Sequence, residues 1–178
     1  MIVIPMAGLS RRFTDAGYTA PKYRLELLDR PVFDYAIGSF AARFGREPFL
    51  FALGADDDGD GQAFVQERLH AMGIPDAHTV CLGRHTAGQA ETVALALEAA
   101  RIADDEPLTI FNIDTFRPGF DMHEAERRAD GFLEVFRDSG DSWSFVEPVP
   151  DDLGGDAGRA ARLGQVGQQT VGVRVGGG

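Results

Sequence analysis

The segment Met6-Ala-Gly-Leu-Ser-Arg-Arg-Phe13 follows a short apolar run and precedes Pro21-Lys22. A glycine placed after a strand lets a ligand approach backbone amides closely. Successive amides of that kind form a nest for anions. Arg11 and Arg12 add planar donors matched to phosphate oxygens, and Lys22 adds a compact positive charge. Lys22 is also the only lysine of the chain; every other cationic side chain of the Lys/Arg class is arginine. Residues of these types at this spacing suit the binding of a polyphosphate. The plainer alternative is a solvated basic loop containing a chance lysine. The segment is not a Walker P-loop, which needs Gly-Lys-Ser/Thr, and it is not G-x-G-x-x-G.

Such a loop needs a scaffold. Ile2–Met6 is a short apolar run closed by a glycine loop and predicts a buried strand. Ala7–Lys22 reads as a long loop and Tyr23–Leu28 as a short strand. Pro31 predicts the opening of a helix through about Phe44, since proline suits a first helical turn. Strands are predicted at Phe49–Leu53, Thr79–Leu82, Leu108–Ile113 and Ser144–Glu147. Helices are predicted at Gln62–Met72, with Gly73 as the stop, at Gln89–Ala103 and, briefly, at Met122–Ala129. This alternation predicts an α/β fold with a mostly parallel sheet and helices on both faces. Ligands of such sheets sit beyond the carboxyl ends of the strands. Three segments fall there: Ala7–Arg12, Gly83–Glu91 and Asn112–Thr115. Asp151–Gly178 holds 9 of the 22 glycines and no aromatic residue. That composition predicts a domain over 1–150 and a poorly ordered or weakly packed tail over 151–178.

With 178 residues and a net charge of -11, the chain suits a small-molecule protein better than a nucleic-acid or membrane-surface binder. A phosphate ligand would require local cations or a metal ion. The single cysteine, Cys81, excludes an internal disulfide and a Cys-rich zinc site; within its apolar strand it is expected to be inert core. The first residues carry no basic signal region, and no apolar run approaches the ~20 residues of a membrane span. A cytoplasmic location is expected.

Other polar clusters suggest rival chemistry. Asp56–Glu67 fits D-x-D-x-D-G-x5-E, the EF-hand calcium loop. The segment before it reads as a strand instead of an entering helix, Ala63 is small where a larger aliphatic is preferred, and no second hand is present. His70, His78, His85 and His123 show no metal spacing; His85, beside a glycine turn, is the one placed to touch a ligand. Ser10 lacks G-x-S-x-G context. Trp143 and Phe145 suit core packing or a cleft wall.

The chain resembles the sugar-1-phosphate nucleotidyltransferases. The resemblance rests on Ala-Gly-x-Ser-x-Arg-Phe after the first strand with Pro21-Lys22 beyond it, on Leu27-Leu28-Asp29-Arg30-Pro31-Val32, on Thr86-Ala-Gly-Gln-Ala-Glu-Thr-Val93 and on Asn112-Ile-Asp-Thr115. These stand in family order over residues 1–116. The first motif is shared with related cytidylyl- and molybdopterin nucleotidyltransferases, so the base stays open. The resemblance implies that Ala7 and Gly8 border the nucleobase and that Ser10, Arg11 and Arg12 wrap the triphosphate. Of the two arginines, Arg12 best fits the family's loop arginine. It also implies that Lys22 neutralises the transferred phosphate, that Gly88 and Gln89 contact base or ribose, and that Asp114 ligates Mg2+. The implied substrates are a nucleoside triphosphate and a sugar 1-phosphate, in the making of nucleotide-sugars or surface polysaccharide.

Such a reaction needs no general base, because the attacking phosphate is already anionic. Positioned cations and in-line alignment address its barrier. Family members usually run further, with a Glu-Lys pair and a later metal-sharing Asp. No lysine follows Lys22 here, and Asp151, Asp152 and Asp156 are candidates for that second carboxylate by sequence proximity alone. A truncated or diverged C-terminal end is therefore expected. Two alternatives remain: a nucleotide-sugar glycosyltransferase, whose usual Asp-x-Asp is reduced here to Asn112-Ile-Asp114, and a vestigial nucleotide-binding domain.

Overall fold

Ile2–Pro5 forms strand β1, and Ile2, Val3 and Ile4 are wholly buried. A continuous apolar run of this kind can be covered on both faces only inside a sheet flanked by helices on each side. The computed structural model describes residues 1–8, 11–55, 59–122, 128–137 and 166–173. Its main sheet has six strands in the order β5-β4-β1-β6-β8-β7. Here β4 is Phe49–Leu53, β5 Ala77–Cys81, β6 Leu108–Phe111, β7 Gly131–Arg137 and β8 Val166–Val173. The first four in that order are parallel, with Val3 paired to Leu50 on one side and Ile110 on the other. Strand β8 runs antiparallel to both β6 and β7.

Side-chain alternation divides the core into two layers. Ile2, Ile4, Phe49, Phe51 and Leu53 face helices α2, Val32–Gly38, and α3, Asp60–Met72, through Phe33, Ala36, Ile37, Val65 and Leu69. Val3, Leu50 and Ala52 face α4, Gln89–Ala100, through Val93 and Ala96. Helices therefore cover both faces, as expected. After β5 the chain crosses back to place β6 on the far side of β1. That reversal opens a crevice beyond the carboxyl ends of β1 and β6.

The element boundaries differ from expectation where local polar contacts compete with periodicity. Pro31 is the N-cap of α2, but the helix stops at Gly38. Ser39 there accepts hydrogen bonds from the Arg117 and Phe120 amides, which ties the helix end to the loop after β6. A single 3-10 turn, Ala41–Arg43, follows. Gly73 closes α3 in the left-handed region as predicted, while Arg101 does the same for α4 and ends it short of Ala103. The expected loop Ala7–Lys22 contains a short helix, α1, Arg11–Asp15. Instead of a strand over Tyr23–Leu28 there is a 3-10 turn, Lys22–Arg24, and a two-residue hairpin pairing β2, Glu26–Leu27, with β3, Arg30–Pro31.

Strand β7 was not anticipated, and β8 lies within the glycine-rich stretch expected to pack weakly. The backbone of β8 bonds to strands on both sides, a contribution that glycine composition does not remove. Residues 123–127 of the helix expected at Met122–Ala129 lie outside the described residues. So do His123, Trp143, the strand expected at Ser144–Glu147, and Asp151, Asp152 and Asp156.

Candidate active site

The crevice is an open cleft of about 590 Å³. Its walls come from the three segments expected to hold a ligand. Pro5, Ala7 and Gly8 follow β1; His85, Thr86, Ala87, Gly88, Gln89 and Thr92 surround the start of α4; Asn112 and Asp114 follow β6; and Lys22 closes one side.

Lys22 is held by its neighbour. Tyr23 is buried and packs on Phe64 with ring centroids 5.7 Å apart, anchoring the 3-10 turn to the core. The Lys22 ammonium donates to Asp114 Oδ2 at 3.0 Å. Asp114 is presented by a turn whose flanking residues, Ile113 and Thr115, are buried, and the Thr115 amide closes that turn onto the Asn112 carbonyl at 3.1 Å. With Ile113 directed into the core, Asn112 and Asp114 both face the cleft.

Across from them, the turn before α4 is fixed by a small network. Thr86 and Thr92 hydroxyls lie 2.7 Å apart, and Thr92 donates to the Gly88 carbonyl at 3.1 Å. Glu91 accepts from the Ala87 amide at 2.6 Å and from Arg84 at 2.6 Å. These two bonds, the backbone one foremost, hold the Glu91 carboxyl below its ordinary pKa. Gln89, the first residue of α4, donates its Nε2 hydrogen to Asn112 Oδ1 at 2.5 Å and so links the two walls.

Ala7, Gly8, Lys22, Gly88, Gln89 and Asp114, all named from sequence, thus meet in one cleft. Arg12 does not join them; it is exposed on α1 and absent from the cleft wall. Arg11 opens α1, and Ser10 lies outside the described residues. Asn112, Thr86 and Thr92 lie within the motifs singled out from sequence, which gave none of the three a role of its own. For Asn112 the available signal was its i, i+2 spacing from Asp114 at the end of a buried strand. His85 lines the cleft, whereas His70 and His78 are exposed on α3 and β5. Cys81 is exposed rather than buried, because β5 is an edge strand with one open side.

The EF-hand reading meets a helix where it needs a loop. Helix α3 starts at Asp60, the fifth position of that pattern, and Asp60 pairs with Arg24 at 2.5 Å. Glu67 is seven residues further along the helix, roughly 10 Å away on its axis, so both carboxylates cannot close around one ion. Asp56–Asp58 lie outside the described residues.

Among the described residues, no three His, Cys, Asp or Glu side chains gather into a metal-holding cluster. Asp114 is the cleft's carboxylate among them, and its side chain is half-exposed. Mg2+ commonly takes one or two carboxylates and completes its shell with substrate phosphates and water. The donor set therefore fits an ion shared with a polyphosphate and does not form a closed protein cage.

No family model matches the chain. A nucleoside-diphosphate-sugar pyrophosphorylase from Vibrio cholerae RC9 is 39% identical, superposes with a TM-score of 0.80, and is matched over 98% of this chain and 73% of its own. The UTP–glucose-1-phosphate uridylyltransferase of Escherichia coli K12 is 26% identical over 166 residues, 84% of this chain and 54% of that protein. The chain thus spans about half the length of the curated relatives it matches. An inositol-1-phosphate CTP transferase from T. maritima shares the fold at a TM-score of 0.68 and 14% identity, over 97% of this chain and 69% of its own.

Proposed function

The chain belongs to the sugar-1-phosphate nucleotidyltransferase family, and from that premise we propose that it transfers a nucleoside monophosphate from a nucleoside triphosphate to a sugar 1-phosphate. The observation that carries this reading is the meeting of Gly8, Lys22 and Asp114 in one cleft at the switch point of the sheet. A phosphate oxygen of the sugar attacks the α-phosphorus. The bond from that phosphorus to the oxygen bridging to the β-phosphate breaks, and pyrophosphate leaves with the electron pair. Lys22 neutralises charge on the transferred phosphate, while the part proposed for Arg11 and Arg12 on the triphosphate would require α1 to approach the bound nucleotide, since Arg12 is exposed and outside the cleft wall. Ala7 and Gly8 offer a wall without bulky side chains against which the nucleotide lies, and Gly88 and Gln89 meet the base or ribose. Asp114 holds Mg2+, which when bound supplies positive charge against the phosphates of an acidic protein's substrate.

We assign this chemistry to residues 1–150, with β8 completing the sheet, and to the cytoplasm, where nucleoside triphosphates are available; among the described residues no helix is long and apolar enough to cross a membrane. A role in making nucleotide-sugars for surface polysaccharide fits the same chemistry. Pyrophosphate release, measured over a panel of nucleoside triphosphates and sugar 1-phosphates with Mg2+, tests the proposal. Release with one pairing supports it. Nucleotide binding with no release from any pairing favours a binding-only domain.

A further inference from the structure

Ser39, the C-cap of α2, is a polar residue held at 2% exposure and lies outside the cleft wall. A hydroxyl buried this far needs partners. It donates to the Tyr35 carbonyl at 3.4 Å and accepts the Arg117 amide at 2.9 Å. The Ser39 carbonyl accepts the Phe120 amide at 3.1 Å. Tyr35, four positions earlier and so on the same side of the helix, sets its ring 5.4 Å from that of Phe116. One helix end thus grips residues 116, 117 and 120 of the loop that follows β6.

That loop carries Asp114. Its carboxylate is held by Lys22, the residue that the reaction would direct to a phosphate. Once the pair is exchanged, the direction of the carboxylate rests on the backbone beneath it. On one side that backbone is fixed by β6 and by the Thr115 amide on the Asn112 carbonyl. On the other side the first backbone attachment to α2 is Arg117, three residues beyond Asp114, and its acceptor is the Ser39 hydroxyl.

We propose that Ser39 is a positioning residue for Asp114: through the Arg117 amide it fixes the far stem of the loop, so that the carboxylate stays directed into the cleft when Lys22 leaves it. This inference rests on the nucleotidyl-transfer reading above. Alanine at position 39 would keep the helix and leave the Arg117 amide without its acceptor. The loss would fall on the grip on the divalent ion, because Lys22 and the Gly8 wall are carried by other segments.

The test uses whichever of ATP, GTP, CTP and UTP binds the wild type most tightly. Its dissociation constant is measured by calorimetry in EDTA and in Mg2+, and the ratio of the two reports the gain from the ion. Ser39→Ala is expected to lower that ratio about tenfold, the lower end for groups that orient a metal ligand without touching the ion. The constant in EDTA should change by less than about twofold, and in an Asp114→Asn background Ser39→Ala should alter the ratio no further. Val65→Ala, a core truncation in α3, controls for lost stability and should keep the wild-type ratio. Phe116→Ala, at a residue 38% exposed, removes the second contact with α2 and should lower the ratio about threefold, the worth of one aromatic pair.

A Ser39→Ala protein with the wild-type ratio overturns the proposal. So does one whose affinity falls equally with and without the ion, an effect that persists in Asp114→Asn, or an equal fall in Val65→Ala. Should Ser39→Ala fail to fold, Phe116→Ala with the wild-type ratio overturns it in the same way. A wild type that binds nucleotide but gains nothing from Mg2+ overturns it too. Binding of none of the four nucleotides overturns the nucleotidyl-transfer reading itself, and is distinguished by the absent binding.

Discussion

Lys22 and Asp114, 92 positions apart in sequence, are joined by a 3.0 Å ion pair across the mouth of the cleft. The ammonium and the carboxylate that the proposed reaction would direct to a phosphate and a metal ion are paired with each other. Binding of a metal–nucleotide must exchange that pair for two new ones. Both side chains reach solvent, at 24% and 51% exposure, so the pair itself contributes little stability, on the order of 0–1 kcal/mol. Lys22→Ala is therefore expected to leave chemical denaturation nearly unchanged while lowering turnover by about 10²–10³, the range seen when one transition-state donor is removed. Denaturation midpoints beside pyrophosphate-release rates check this.

Gly8 and Gly88 border the cleft without backbone strain, and a Cβ built at either meets nothing within 4 Å. Valine at these positions would occupy ligand space without displacing protein atoms at its Cβ. Gly8→Val should melt at or slightly above the wild-type temperature, because the unfolded chain loses freedom, and Gly88→Val slightly below it, because valine is a poor N-cap for α4; both should lose the thermal shift that a bound nucleotide gives. A large fall in melting temperature would show that the open space is needed for folding.

The carboxyl of Glu91 titrates below its ordinary value because it accepts the Ala87 amide and the Arg84 guanidinium. A depressed folded-state pKa means that its stabilisation is present above the unfolded value, about 4.3. It is lost as pH falls from there through the folded value. Wild-type melting temperature should decline through that window more steeply than that of Glu91→Gln, and the two profiles should run parallel at neutral pH. Thermal melts across the acid range provide the comparison.

Asp34 is a nearly buried carboxylate in the first turn of α2, 8% exposed, and Arg68 of α3 binds both of its oxygens. The Asp34 hydrogen bond keeps the Arg68 guanidinium above its ordinary pKa. Arg68→Ala should cost about 1–3 kcal/mol, below the range for fully buried pairs because Arg68 remains 28% exposed. Adding Asp34→Asn should restore part of the loss. Urea denaturation of the two variants measures both steps.

The layers of the fold could be read from sequence because β1 and β4 are uninterrupted apolar runs, a pattern that only a strand covered on both faces satisfies. The cleft was legible for a related reason. Parallel strands end on one edge of a sheet, so Gly8 and Asp114 were expected at the same edge; that they meet there depends on β1 and β6 being neighbours, which the structure shows. The hairpin at Leu28 was not legible. Leucine there adopts φ 60 and is 91% exposed, a conformation its residue type gives no reason to expect. Nor was the placement of Arg12, which turns on a five-residue helix too short to show a period. The exposure of Cys81 depends on β5 being the sheet edge, a property of strand order that its own apolar surroundings do not encode.

The convergence of Gly8, Lys22 and Asp114 on one polyphosphate is tested most directly by a crystal structure of the chain with a non-hydrolysable nucleoside triphosphate and Mg2+. The expected result has the Lys22–Asp114 pair separated, Lys22 on a phosphate oxygen, the ion on Asp114 and the nucleotide lying along Ala7 and Gly8. A nucleotide bound elsewhere, with Lys22 still paired to Asp114, would contradict the account.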